Sequence, residues 1–160
     1  MYTQYPIQAD ASEIKKHLED WENRFDTPHM IEVKSFKQLG ETGTYLASYK
    51  LDESPAIAVL EKGINNRFKI VWSGSGTSVV RYEDIATEDG VYVALSGENP
   101  NEKISMIEVD LLTADYSYRV NVPKGDYFTV VDLLPTTIKS PVAITFTVYD
   151  KNGKQLILDE

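Results

Sequence analysis

From Ile31 onward the apolar residues recur at alternate positions in short runs, and turn-forming residues break those runs at intervals of roughly eight to twelve. Side chains that alternate with period two belong to strands, so most of this chain is committed to antiparallel β-structure. One segment departs from that period. Ile14, Leu18, Trp21 and Phe25 recur at helical spacing and line one face of a helix over residues 11 to 25. Asp10 stands where an N-cap accepts from the first free amides, with Glu13 three residues on as its capping-box partner, and Thr27-Pro28 supplies the stop.

The expected fold is therefore α+β and mostly β. An amphipathic N-terminal helix covers an antiparallel meander, and a small all-β sandwich or partly open barrel follows. In the meander, Gly40 to Gly43 turns one strand into the next, Ala56 to Glu61 reads as a buried central strand, and Phe68, Ile70 and Trp72 share a face. The acidic stretch Glu83 to Gly90 combines charge with few β-formers, which makes it the expected boundary between residues 1–84 and 85–160, unless the two form one continuous domain. Beyond it, Val91 to Leu95, Ile104 to Leu111, Tyr116 to Val122, Tyr127 to Leu133, Val142 to Tyr149 and Gln155 to Leu158 read as strands. Asn152-Gly153 predicts a type I′ hairpin joining the last two.

Charge narrows the partners. Sixteen basic against 25 acidic residues give a formal charge of −9, and the basic residues are scattered, so neither nucleic acid nor an anionic membrane surface is an expected partner. No apolar run approaches the roughly 18 residues that cross a bilayer. Cysteine is absent, which removes disulfides, thiolate metal sites and cysteine nucleophiles.

Catalytic equipment is thin. The two histidines, His17 and His29, do not form a paired metal motif. His17 with Glu13 and Asp20 could hold a metal in principle, but a solvated helix flank is the simpler reading. Gly74-Ser75-Gly76 sits between strands and fits neither a nucleophile elbow nor a dinucleotide fingerprint, so no cofactor is implied. Acidic pairs such as Asp110 and Asp115, or Glu83 and Asp84, show no convergence on a cleft. Asp150-Lys151-Asn152-Gly153 shares residues with the opening of a calcium loop but lacks its alternating ligands and closing Glu, and reads as a turn. Glu98-Asn99-Pro100-Asn101 reads as a polar loop.

Ten tyrosines invite a recognition surface. Tyr45, Tyr49, Phe68 and Trp72 share faces with aliphatic residues and are expected in the core. Tyr116, Tyr118 and Tyr127 are the candidate interaction surface.

Three stretches carry a resemblance: Ala58 to Ile70, Gly97-Glu98-Asn99-Pro100-Asn101 with Lys103-Ile104, and Tyr149-Asp150-Lys151-Asn152-Gly153-Lys154. Together they resemble uncharacterised extracytoplasmic domains of Gram-positive bacteria, often tethered behind one transmembrane segment, over residues 40 to 158. The motifs are mostly turns, and no catalytic residue comes with them. What the resemblance implies is location: an exported domain, tethered or secreted. The opening Met1 to Pro6 has no secretory-signal pattern, so a cytoplasmic setting is the alternative if Met1 is the natural start. The expected function is non-enzymatic binding of a protein or cell-envelope component. Two alternatives stand beside it: a small-ligand binder or enzyme with a pocket between the helix and the first sheet, and an assembly protein pairing through a sheet edge. Oligomeric state is left open.

Overall fold

A computed structural model describes residues 5–23, 29–75, 79–112, 114–139 and 142–157. The chain divides into two compact units, Met1–Thr77 and Ser78–Glu160. The fold is α+β and mostly strand, with antiparallel sheets that do not close into a barrel.

In the first unit, helix α1 spans Ala11–Glu22. The Asp10 carboxylate accepts from the amides of Ser12 (2.8 Å) and Glu13 (3.4 Å), satisfying two donors that a helix start leaves free. Glu13 does not complete a capping box among the described contacts; its carboxylate faces His17 at 3.9 Å. Ile14 and Leu18 are buried and Trp21 half-buried, whereas Phe25 and Thr27-Pro28 lie outside the described residues.

Four strands follow in meander order: β1 (Ile31–Gln38), β2 (Thr44–Leu51), β3 (Ser54–Lys62) and β4 (Phe68–Ser75). Ala47 pairs with Ala58 and Tyr49 with Ala56 across β2 and β3, and these residues share one core with Ile14, Leu18, Leu60 and Phe68. The small alanines leave room for the helix side chains above them. Tyr45 joins this layer, stacked 5.3 Å from Phe36 and edge-on to Phe68 at 4.8 Å. Trp72 does not. The register shifts between Val59 and Leu60, so that Leu60 faces Ile70 while Val59 faces Trp72. The extra residue, Val71, is a bulge that rotates Trp72 to the face opposite Phe68 and Ile70, where it is part-exposed.

The second unit holds β5 (Val80–Thr87), β6 (Gly90–Glu98), β7 (Met106–Leu111), β8 (Ser117–Asn121), β9 (Tyr127–Leu133), β10 (Ile144–Tyr149) and β11 (Gln155–Leu156). They form a three-stranded sheet, β5-β6-β9, and a four-stranded sheet, β11-β10-β7-β8. Val93, Leu95 and Phe128 from the first share one core with Ile107, Val109, Ile144 and Val148 from the second, which makes this unit a sandwich. The acidic stretch read as the boundary instead forms much of β5 and the turn into β6. Its charge reflects an edge strand, since β5 pairs on one side only.

The last hairpin pairs antiparallel as expected, Val148 with Leu156 and Tyr149 with Gln155. Its turn is not type I′. Of Asp150 to Gly153 only Gly153 takes a positive φ, at 79°, and its amide donates to Asp150 O at 3.0 Å. That is a type I turn closed by a left-handed glycine, and the Asp150 carboxylate favours it by accepting from the amides of Asn152 and Lys154, both at 2.9 Å.

Candidate functional site

Three connections of the sandwich meet at one of its ends. The β6–β7 connection turns at Asn99 to Glu102, where the Glu102 amide donates to Asn99 O at 3.0 Å, the β8–β9 connection contains Pro123 and Lys124, and the β10–β11 hairpin turns at Asp150 to Gly153. Between them lies an open groove of about 660 Å³, lined by Glu102 to Ser105, Val122 to Lys124, and Asp150 to Asn152. A smaller hollow of about 230 Å³ adjoins it, sharing Lys103, Ile104 and Leu156 and adding Glu98 and Ile157.

Backbone bonds tie the three connections together. Ser105 N donates to Tyr149 O and Val122 N to Ser105 O, both at 2.9 Å, while Asn99 N donates to Asp126 O at 2.7 Å. Glu102 adds a side-chain tie by accepting from Gly125 N at 3.1 Å. Asn99 is buried and holds the β6–β7 connection closed from within: its amide donates to Ile104 O (2.9 Å) and its carbonyl accepts from Ile104 N (2.7 Å). The residues so enclosed are strained. Asn101 and Glu102 both take left-handed backbone, φ 59° and 53°, which costs a non-glycine residue about 1–2 kcal/mol. Asn and Asp visit this region far more readily than Glu, so Glu102 is held there by its surroundings.

Lys103, Lys124 and Lys151 come to this groove from three separate segments, all exposed and none ion-paired among the described residues. Sequence reasoning named two of the three segments, Glu98 to Asn101 and Asp150 to Gly153, but as separate turns. Nothing along the chain signals that they converge.

The three tyrosines singled out from sequence do not form one surface. Tyr116 and Tyr118 are neighbours, ring centres 6.1 Å apart, and both lean half-buried on the sandwich core. Tyr127 starts β9 in the other sheet, where its hydroxyl accepts from Ser96 at 3.2 Å. Tyr118 pairs with Val109, and Asp132 with Val93, so both point into the core from opposite sheets. The Tyr118 hydroxyl and one Asp132 oxygen are buried without a hydrogen-bond partner among the described residues. Burial pushes the Tyr118 phenol well above its ordinary range, helped by the Asp132 charge, and burial also raises the Asp132 carboxyl.

Between helix and first sheet the polar groups are engaged with one another. Glu22 accepts from Ser73 (2.8 Å) and from the buried Tyr49 hydroxyl (3.1 Å), and the Trp21 indole donates to Ser73 at 2.8 Å. His29 and Asp52 form a second pair at 2.7 Å, and that hydrogen bond, with one from the Met30 amide, holds the Asp52 carboxyl below its usual range. Arg81 pairs with Glu83 on β5, where burial nevertheless raises the Glu83 carboxyl. Among the described residues no group of three or more His, Asp or Glu could hold a metal, and no helix is long and apolar enough to cross a membrane.

No protein-family profile matches this chain, and neither the curated proteins nor the solved structures contain a match.

Proposed function

We propose that this chain is a non-enzymatic binding domain working outside the cytoplasm, and that its partner, a protein or a component of the cell envelope, seats in the groove at the end of the sandwich. The observation that carries this reading is the hydrogen-bonded union of three connections around that groove. Loops held rigid on a sheet scaffold are where recognition is concentrated, and a preorganised site loses little entropy on binding. The extracytoplasmic setting rests on the resemblance of the turn motifs, two of which border this groove.

The test is a titration of the ¹⁵N-labelled chain with fractions of an envelope extract, read from its amide spectrum. Saturable shifts at Lys103 to Ser105, Lys124 to Gly125 and Lys151 to Gly153, absent from a Ser105→Trp variant that fills the groove, are expected. Shifts gathered elsewhere would move the site, and no saturable shift would remove the binding role.

A second reading is favoured by one specific feature. The set Glu22, Tyr49 and Ser73 supplies polar side chains of the kind that a small-ligand site between helix and sheet would use, here hydrogen-bonded to one another. Shifts confined to Glu22, Tyr49 and Ser73 on titration with a small-molecule library would support it over the groove.

A further inference from the structure

The geometry points to a compact, multiply charged anion bearing phosphate or carboxylate groups as the ligand class of the sandwich groove. This inference rests on the groove reading above and adds its chemistry.

Three lysines, Lys103, Lys124 and Lys151, line one groove in a chain whose formal charge is −9. Two carboxylates, Glu102 and Asp150, share the walls and keep their charge, but each is tied by one oxygen to its own framework, Glu102 accepting from Gly125 N and Asp150 from Asn152 N and Lys154 N, so the groove remains net positive in an acidic chain. The lysines have no such engagement among the described contacts, and the bonds that join their three segments are made by the flanking residues Asn99, Ser105, Val122, Asp126 and Tyr149. An exposed lysine holds a single anionic group only weakly, because water and salt compete for both partners. Three lysines on separate fixed segments therefore select a ligand that offers several charges at once.

Size and charge narrow the class further. A groove of about 660 Å³ has the volume of a small-ligand site rather than of a nucleic-acid channel. The rest of the chain repels a long polyanion, whereas charges beyond about 8 Å are largely screened at physiological salt, so a compact anion feels chiefly the groove.

The experiment is a titration of the ¹⁵N-labelled chain with sodium tripolyphosphate and separately with citrate, at physiological ionic strength. Saturable shifts confined to residues 101–105, 122–125 and 150–154 are expected for at least one of them. A Lys103→Gln/Lys124→Gln/Lys151→Gln variant should bind about ten-fold more weakly or worse, and a Lys15→Gln/Lys16→Gln variant on α1 as tightly as the parent. Vesicles of phosphatidylglycerol in phosphatidylcholine separate the sources: sedimentation with them, lost in the triple variant, identifies a lipid headgroup, and tripolyphosphate binding without it identifies a soluble anion. Undiminished binding by the triple variant overturns the inference. If both anions fail while envelope extract still shifts the groove, the anion class falls and the groove stands; if the extract is silent too, both fall.

Discussion

Asn99 and Ile104 are joined by two hydrogen bonds, the Asn99 side chain donating to the Ile104 carbonyl at 2.9 Å and accepting from its amide at 2.7 Å. A side-chain amide thus imitates a strand partner and closes the connection on which the groove is built. Asn99→Ala leaves both Ile104 groups buried without those partners, at an expected cost of about 2–4 kcal/mol. Amide exchange in the second unit reads this loss, and protection of Ile104 should fall first. Unchanged exchange at Ile104 would show that the loop is held by other contacts.

The first unit can be followed separately, because Trp21 and Trp72 are the only tryptophans and both belong to it. Leu18→Ala removes a fully buried helix side chain and should cost about 3–4 kcal/mol in denaturant melts followed by tryptophan fluorescence. Tyr49→Phe removes one of the two hydroxyl donors to Glu22 and should cost about 1 kcal/mol. A Leu18→Ala loss below that of Tyr49→Phe would contradict the packing of α1 on the sheet.

Asp132 gives the sandwich a pH dependence of definite sign. Burial raises its carboxyl in the folded state, so between the ordinary and the raised value the folded chain holds the proton and the unfolded chain does not. This contribution strengthens folding as pH falls through that window and weakens it as pH rises. Asp132→Asn should raise the melting temperature of the second unit at neutral pH, with the gain shrinking as pH falls from the raised value toward the ordinary carboxylate range and gone below it. A gain that grows on acidification would reverse the assignment.

Tyr118 offers a companion test, since its buried hydroxyl has no hydrogen-bond partner among the described residues. Tyr118→Phe removes that desolvated group at constant shape and should be neutral or stabilising by up to about 1 kcal/mol. Calorimetry of the single and double variants with Asp132→Asn should show effects that do not add, because the two groups interact.

Gly97 is fixed by close approach rather than by backbone angle. A Cβ there would lie 2.5 Å from Val79 O and 3.2 Å from Val80 Cα on the neighbouring chain segment. Backbone cannot yield as a side-chain tip does, so Gly97→Ala should cost roughly 1–3 kcal/mol or more, with the loss centred on β5–β6 pairing. Unchanged exchange protection across β5 and β6 in that variant would show that the strands absorb the added Cβ without loss of pairing.

Elements governed by near neighbours along the chain are legible in the sequence. Asp10 marks the start of α1 because capping acts over two or three residues, and Asp150 to Gly153 marks the last hairpin because turn chemistry acts over four. The strands are legible from their period. Legibility fails wherever one residue changes the count: Val71 as a bulge turns Trp72 away from its expected face, and no pattern of apolar residues signals a bulge in advance. The expected boundary is also misplaced, because an edge strand carries charge much as a linker does. Sequence by itself thus determined the helix, the strands and the places where the chain turns, all of which depend on contacts a few residues long, though not the type of the last turn. Tertiary structure alone decided that Lys103, Lys124 and Lys151 would border one groove and that Ser73 would meet Glu22, since those meetings follow from sheet order. Pairings such as β10 with β7 join residues tens of positions apart, and their energies come from burial shared by whole sheets rather than from any local motif.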